Sequence, residues 1–142
     1  QKAEQANTLH EVMAAAQAWF VERLASAEGE KARASLATRG FNQRTVDRFG
    51  FGYAPEGRSQ LRDALQRAGV SLELSIEAGL VGKGEDGALF DRMRGRVIFP
   101  IQNHTGKIIG FGARIIKSND RAPKYINTPE NEIYIKSKIN FT

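Results

Sequence analysis

The chain of 142 residues contains no cysteine. Disulfide scaffolds and zinc sites with cysteine ligands are therefore excluded for this sequence. It has two histidines, His10 and His104, and neither has a partner at the spacing of metal ligands. No apolar run approaches the roughly 20 residues of a membrane helix, and the first residues lack a signal-peptide pattern. We expect a cytoplasmic protein without a membrane partner.

The residue patterns of several enzyme classes are missing as well. The sequence has no Walker A loop, no Asp-x-Asp pair and no evident Ser/His/Asp set. Gly110 and Gly112 are not followed by the third glycine and the helix of a dinucleotide-binding fingerprint. Two-metal phosphoryl transfer requires clustered carboxylates, and the chain does not obviously provide them. We therefore predict no catalytic residue and no metal ligand in this chain.

Positive charge is concentrated in the last third of the sequence. Residues 1–90 contain 11 Lys and Arg against 12 Asp and Glu, a net charge of −1. Residues 91–142 contain 10 against 4, a net charge of +6. This asymmetry indicates a polyanionic partner. The alternative is an ordinary protein surface that happens to be rich in Lys and Arg.

Helices are predicted in the first half of the chain. Apolar residues recur at helical spacing over residues 8–27, where Thr8 is a suitable N-cap and Glu11 completes a capping box. Shorter helices are predicted over residues 30–38, 42–49, 59–68 and 71–78, with Gly40 and Gly69 as breaks. Residues 51–55 are predicted to be extended.

The pattern changes to strands after residue 79. We predict a strand at residues 80–81, a hairpin of strands 92–102 and 107–117 joined by residues 103–106, and a short strand at 124–127. Helices followed by a small, mainly antiparallel sheet make an α+β fold. We expect one domain, mainly helical over residues 1–79 and basic and β-rich over residues 80–142.

Three arginines alternate at the start of the predicted hairpin. Arg92, Arg94 and Arg96 would lie on one face of a strand, because side chains alternate between the two faces. A row of guanidinium groups is well suited to binding phosphates. We expect the opposite face to be a buried layer made by Val97, Phe99 and Ile101 with Ile109, Phe111, Ala113 and Ile115.

The second strand would carry two glycines on the same face as the arginine row. Gly110 and Gly112 alternate with apolar residues and precede Arg114. Glycine in a strand allows a ligand or another backbone to approach closely, or it marks a bulge or an internal packing contact. The sequence favours neither interpretation.

Residues 124–127 place a cation, an aromatic ring and an amide close together. Lys124, Tyr125 and Asn127 combine charge with a stacking surface, which is how proteins hold single-stranded nucleic acid. The alternative is an ordinary edge strand, and the nearby arginines give the first interpretation its weight.

The sequence resembles the bacterial-type DNA primases, specifically the N-terminal subdomain of their RNA-polymerase core. Residues 91–101 (DRMRGRVIFPI) resemble the basic motif of that family, and residues 106–114 (GKIIGFGAR) resemble the hairpin that follows it. Residues 123–130 (PKYINTPE) resemble its P-K-Y-x-N-[ST]-P-E stretch. Upstream, residues 39–41 (RGF) and 51–55 (FGYAP) resemble two further elements, so that the resemblance extends over nearly the whole chain.

The resemblance implies a part of a DNA-directed RNA polymerase, a nucleotidyltransferase that makes RNA primers for DNA replication in the primosome. The parent would bind single-stranded DNA template, the RNA–DNA hybrid and nucleotides, and would meet the replicative helicase through other parts. Its Zn²⁺ would belong to a zinc-binding module before this segment, and its Mg²⁺ to a TOPRIM module after it. The implied nucleic-acid-binding residues are Arg39, Arg92, Arg94, Arg96, Arg114, Lys124, Tyr125, Asn127 and Lys136.

The sequence departs from the family pattern near its end. Where the family usually continues as H-K-G, this chain has Ile135-Lys136-Ser137, which keeps the lysine alone. The first residue is Gln1 and not Met, which favours a segment of a longer protein. We predict that this segment is inactive in isolation, because it lacks a carboxylate cluster and the zinc-binding module. The alternatives are a stand-alone module that binds single-stranded nucleic acid, and a scaffold whose basic face binds an acidic protein.

Overall fold

A computed structural model describes residues 8–116 and 124–128 of the chain. The helices are α1 (Leu9–Ala25), α2 (Glu30–Thr38), α3 (Gln43–Phe49), α4 (Gln60–Arg67) and α5 (Leu72–Glu77), with a 3₁₀ turn at Ala27–Gly29. The strands are β1 (Gly52–Ala54), β2 (Val81–Lys83), β3 (Leu89–Asp91), β4 (Arg96–Gln102), β5 (Ile108–Ile115) and β6 (Tyr125–Asn127). None of the helices in these ranges has the length and hydropathy of a membrane span.

The predicted helices are confirmed, together with their local signals. The Thr8 hydroxyl accepts a hydrogen bond from the Glu11 N–H, and the Glu11 carboxylate accepts one from the Thr8 N–H, which completes the predicted capping box. Asn42 caps α3 by accepting from the Thr45 N–H at 2.8 Å. These caps could be predicted because each depends on residues only three positions apart.

An antiparallel sheet of four strands in the order β1-β4-β5-β6 forms the centre of the molecule, and β2 pairs with β3 separately. Helices followed by small antiparallel sheets confirm the α+β class. One strand, β1, lies within the part that was predicted to be mainly helical, and it connects the helices to the sheet by pairing with β4. The β3 strand was not predicted, whereas the equally short β1, β2 and β6 overlap residues that were predicted to be extended.

The main core lies between α1 and one face of the sheet. Ile98 of β4 and Phe111 and Ala113 of β5 are fully buried there, and Phe20 of α1 packs edge to face on Phe111 with ring centroids 5.3 Å apart. The predicted buried layer is therefore wrong for β4. Ile98 has Ala113 as its cross-strand partner, whereas Phe99 lies opposite Gly112 on the other face.

Candidate nucleic-acid interface

The face of the sheet that points away from α1 is only partly covered. A second apolar cluster, to which α2, α3 and the last turn of α1 contribute, buries its β1 and β4 side through Leu24, Ala32, Leu36, Val46, Tyr53 and Val97. The rest of this face, which we call the open face, carries Phe99, Gly112, Arg114, Tyr125 and Asn127. Residues that the sequence placed in three separate segments thus meet on one surface.

Arg114 and Tyr125 form a pair at the centre of the open face. They are cross-strand partners in β5 and β6, and the Arg114 guanidinium carbon lies 5.9 Å from the centroid of the Tyr125 ring. This is a cation–π geometry. Tyr125 is 55% exposed, so that much of its surface remains accessible. The pair offers a positive charge beside an accessible aromatic ring.

Tyr125 is the first of four aromatic rings that contact one another in a row toward α2. The ring centroids are 5.8 Å apart for Tyr125 and Phe99, 6.5 Å for Phe99 and Phe51, and 5.2 Å for Phe51 and Phe41. Each contact is edge to face, with interplanar angles between 69° and 84°. Edge-to-face pairs are the favoured arrangement of aromatic side chains. The predicted significance of Tyr125 was based on this one ring, and the three phenylalanines beside it were not foreseen.

A pocket of about 390 Å³ opens between these rings and α2, and we call it the aromatic pocket. Its lining includes Ser35, Arg39, Phe41, Phe51, Phe99, Arg114 and Tyr125. The Nε atom of Arg114 is buried and has no hydrogen-bond partner among the residues that the structure describes. The pocket therefore combines aromatic walls with the cationic side chain of Arg114, although the Nε atom itself is closed off from solvent.

Arg39 and Phe41 reach this pocket because of the way α2 ends. Gly40 has a φ of +93°, its N–H donates to the Ala37 carbonyl, and the Phe41 N–H donates to the Leu36 carbonyl, both at 3.0 Å. This is the Schellman motif that terminates many helices. The helix end leaves Arg39 exposed and brings Phe41 against Phe51. Local backbone geometry thus explains why residues 39–41 lie at the pocket.

The predicted row of three arginines is wrong. Asp91 and Met93 are buried while Arg92 and Arg94 are exposed, so the alternation holds as far as residue 94. Gly95 then adopts a φ of +69° in a turn, and β4 begins only after it. The turn reverses the direction of the next side chain, which leaves Arg96 on the face of β4 that also carries Ile98.

Arg96 has a structural role in the molecule. It is only 6% exposed, and its Nη1 donates to the main-chain carbonyl of Lys124 at 3.3 Å. Burial lowers the pKa of the Arg96 guanidinium below its usual value, although an arginine stays protonated at neutral pH. Arg96 therefore links β4 to the start of β6, directly before Tyr125.

Thr128 and Asp91 were not among the predicted site residues, but their hydrogen bonds position the segments that carry those residues. Thr128 is buried, its hydroxyl accepts from the Phe111 N–H at 3.0 Å, and its own N–H donates to the Phe111 carbonyl at 2.9 Å. This reciprocal pair fixes the register of β6, so that Tyr125 and Asn127 both point to the open face. The sequence indicated that the strand ends at Thr128 and Pro129. It did not indicate that Thr128 bonds to Phe111, because the two residues lie 17 positions apart.

Asp91 anchors the turn that carries Arg92 and Arg94. Its carboxylate accepts hydrogen bonds from the N–H groups of Leu61 at 2.8 Å and Arg62 at 3.1 Å, in the first turn of α4. Burial raises the pKa of the Asp91 carboxyl, and these two backbone hydrogen bonds partly oppose that rise. No local pattern indicates a cap that is supplied from 30 residues away.

The remaining predicted residues are placed as follows. Lys124 is exposed at the start of β6, and Lys136 lies outside the described residues. At Gly112, the space that glycine leaves is occupied by the Phe99 ring, which supports the packing interpretation of this residue. Within residues 8–116 and 124–128 no group of three His, Cys, Asp or Glu could hold a metal ion.

Comparisons with known proteins give a consistent result. The family model for the DNA primase catalytic core, N-terminal domain, matches residues 19–142. A DNA primase of Streptomyces coelicolor is 42% identical over 122 residues, which are 85% of this chain and 19% of that protein. The chain thus spans about a fifth of the length of this relative.

Solved structures with the same fold include complexes with DNA. The RNA polymerase domain of Mycobacterium tuberculosis primase DnaG, in complex with a double-stranded DNA oligomer with a 6-nucleotide overhang, matches with a TM-score of 0.82 and 37% identity over 92% of this chain and 41% of that one. A DnaG primase catalytic domain bound to ssDNA matches with a TM-score of 0.78 and 34% identity over 88% of this chain and 40% of that one.

Proposed function

This chain belongs to the family of the DNA primase catalytic core, N-terminal domain, and we propose that it is the part of a DNA primase that binds the template. Its ligands are the single-stranded DNA template and the RNA–DNA hybrid, while the parent enzyme synthesises RNA primers for replication. The observation that carries this proposal is the Arg114–Tyr125 pair on the open face, with Arg39 at the rim of the adjoining pocket. Cations combined with stacking rings are the usual means of holding a single strand.

We assign the direct contacts to the residues with exposed or pocket-lining side chains. These are Arg39, Arg92, Arg94, Arg114, Lys124, Tyr125 and Asn127. Arg96 acts indirectly, since its hydrogen bond to the Lys124 carbonyl positions the start of β6. Lys136 is retained as a proposed contact on the basis of the family resemblance alone.

The chemistry of primer synthesis is assigned to other parts of the parent. Metal-dependent transfer requires a carboxylate cluster, and the part of this chain that the structure describes contains none. Mg²⁺ and the nucleotides would be bound with a following TOPRIM module, and Zn²⁺ by a preceding module. The helicase would contact other segments, and the site of action would be the cytoplasm. The similarity to primases, two of which were solved with DNA, supports this proposal over a stand-alone binding module.

The proposal is tested by titrating the 142-residue chain with a short, fluorescently labelled single-stranded DNA at several salt concentrations. Because the template would also contact the TOPRIM module in the parent, we expect this chain alone to bind with a dissociation constant in the non-specific range of about 10⁻⁴–10⁻⁶ M. If about four phosphates are bound, log K should fall against log salt with a slope of roughly −3, at about 0.7 per contact. A flat salt response would overturn the electrostatic proposal.

Variants locate the contacts on the surface. Arg114→Ala and Arg94→Ala should each weaken binding and reduce the magnitude of the salt slope by about 0.7, which is one phosphate contact. The matched control is Arg67→Ala, an exposed arginine on α4, which packs on α1 and not on the open face. An equal loss in the control would show that binding depends on overall charge and not on this surface.

A further inference from the structure

We propose that the aromatic pocket receives a single unstacked nucleobase from the bound strand, with a carbonyl edge directed at Arg114. The inference rests on the proposed function and adds a base-binding position to it. The pocket lies beside the Arg114–Tyr125 pair, and its volume of about 390 Å³ is at the lower end of the range for small-molecule sites. A cavity of this size is suited to one base rather than to a stretch of strand.

The walls of the pocket have the chemistry that a base requires. The aromatic lining consists of Phe41, Phe51, Phe99 and Tyr125. Neighbouring rings in this order have interplanar angles of 69°, 84° and 83°, so the lining presents both ring faces and ring edges. Proteins that bind single-stranded RNA and DNA stack splayed-out bases on such rings. A base already in a single strand loses little on unstacking, compared with a base taken from a duplex.

One polar group in the pocket indicates which edge of the base faces inward. Arg114 is half-buried and lines the pocket, and its guanidinium group can donate hydrogen bonds but cannot accept them. A base carbonyl or ring nitrogen directed at this group would be a suitable acceptor. The adjacent O6 and N7 acceptors of a guanine-type base match an arginine better than adenine does, because the adenine N6 group is a donor.

The position of Arg39 completes the arrangement. It is exposed and lines the pocket from the end of α2, opposite the strands that carry Arg114 and Tyr125. An exposed guanidinium at the mouth of an aromatic pocket is placed to hold the phosphate next to an inserted base. The backbone of the strand would then pass over the open face while one base enters the pocket.

The first experiment closes the pocket without changing charge. Ser35 is half-buried and lines the pocket from α2, so Ser35→Phe should fill it. Thr38→Phe is the matched control, because Thr38 is exposed on the same helix and does not line the pocket. Each protein is titrated with a single-stranded DNA and with an oligomer of abasic units that has the same number of phosphates.

We expect the wild type and Thr38→Phe to bind the base-bearing strand about five- to a hundredfold more tightly than the abasic one. Ser35→Phe should lose this difference and bind the abasic oligomer as the wild type does. If Ser35→Phe keeps the difference while Tyr125→Ala removes it, stacking occurs only on the surface and the pocket proposal is wrong. If the wild type binds neither oligomer, the proposed function itself fails.

A second experiment needs no variant and so does not depend on Ser35→Phe folding correctly. The wild-type protein is titrated with inosine, which has the O6 and N7 acceptors, with adenosine and with ribose, and the ring signals of Phe41, Phe51 and Phe99 are followed by NMR. We expect saturable shifts with inosine, weaker binding of adenosine and no saturable shift with ribose. Equal affinity for the two nucleosides would overturn the role of Arg114, and equal effects of ribose would overturn the base site.

Discussion

The ring of Phe99 lies directly over Gly112, its partner across the β4–β5 pair. A Cβ atom built at residue 112 would come within 2.4 Å of two ring atoms of Phe99, which is closer than real side chains approach. The glycine therefore leaves the space that the Phe99 ring occupies, and there the ring contacts both Phe51 and Tyr125. The aromatic pocket depends on this pair.

Gly112→Ala should displace the Phe99 ring and disturb the pocket. Overpacking of this kind typically destabilises a protein by about 1–3 kcal/mol, which urea unfolding would measure. DNA binding by the folded variant should weaken as well. The Phe99→Ala background is the control, because without the ring the closest contact given for the added methyl group is the milder one with the Asn127 Oδ1 at 3.1 Å. The same loss in both backgrounds would contradict the packing of Phe99 on Gly112.

Ile98→Ala and Phe99→Ala should have different consequences although the residues are adjacent. Ile98 is fully buried in the core against α1, so its truncation should cost about 2–5 kcal/mol of folding stability. Phe99 is half-buried on the open face, and its truncation should cost less than the roughly 3–5 kcal/mol of a fully buried phenylalanine.

DNA binding provides the second readout for this pair. Phe99→Ala should weaken binding of single-stranded DNA, whereas Ile98→Ala should bind normally under conditions where it is folded. Thermal unfolding followed by anisotropy titration would check both variants. A larger stability loss for Phe99→Ala, with unchanged binding, would restore the strand orientation expected from the sequence.

Asp91 should make folding stability depend on pH in a direction opposite to that of a typical surface carboxylate. Burial raises its pKa in the folded protein above the ordinary value of 3.8, so the native state binds this proton more tightly than the unfolded state. The contribution of the protonated Asp91 carboxyl to folding stability is fully present below the pKa of the unfolded state. It is lost as the pH rises through the pKa of the folded state. The wild type should therefore gain stability, relative to Asp91→Asn, as the pH falls toward 3.8.

Urea unfolding of both proteins across this pH range would measure the difference. Taking the difference removes contributions that the two proteins share, such as that of Glu28, whose pKa is lowered by hydrogen bonds from Gln60 and Arg23. Asp91→Ala should cost about 1–3 kcal/mol at neutral pH, because the Leu61 and Arg62 N–H groups lose their acceptor. A stability difference that is constant with pH would argue against a raised pKa.

The isolated chain should not synthesise primers. Template-directed transfer needs clustered carboxylates to hold metal ions, and the structure shows no such cluster within the ranges it describes. Nucleotide incorporation on a single-stranded template with Mg²⁺ is the assay, with a complete primase as the positive control. Template-dependent product from the purified chain would refute this prediction.

Sequence reasoning succeeded where the deciding interactions are local. The caps at Thr8 and Asn42 use partners three residues away, and the break at Gly40 needs only the left-handed conformation of one glycine. The hairpin of β4 and β5 and the strand of Tyr125 were predicted from alternation and turn residues. Charge and family resemblance led to the prediction that Arg114, Tyr125 and Asn127 contact nucleic acid. The structure places these three residues on the open face, and their contacts with nucleic acid stay a prediction.

The orientation of side chains in β4 could not be obtained in this way. Alternation assumes an unbroken strand, but the turn at Gly95 separates Arg94 from Arg96 and sends Arg96 into the molecule. A glycine in a sequence can be extended or left-handed at little difference in energy. In the folded chain the Gly95 N–H donates to the Ala54 carbonyl at 2.7 Å and to the Pro55 carbonyl at 3.4 Å. These hydrogen bonds favour the turn, and they join residues about 40 positions apart in the chain.

Composition, charge and short-range patterns thus predicted the helices, the fold class and a polyanionic partner, because each prediction depends on residues close together in the chain. The aromatic pocket, the Asp91 cap on α4 and the buried role of Arg96 depend on contacts between residues about 30 or more positions apart. Such contacts exist only after the chain has packed, since packing chooses which face of each strand is buried.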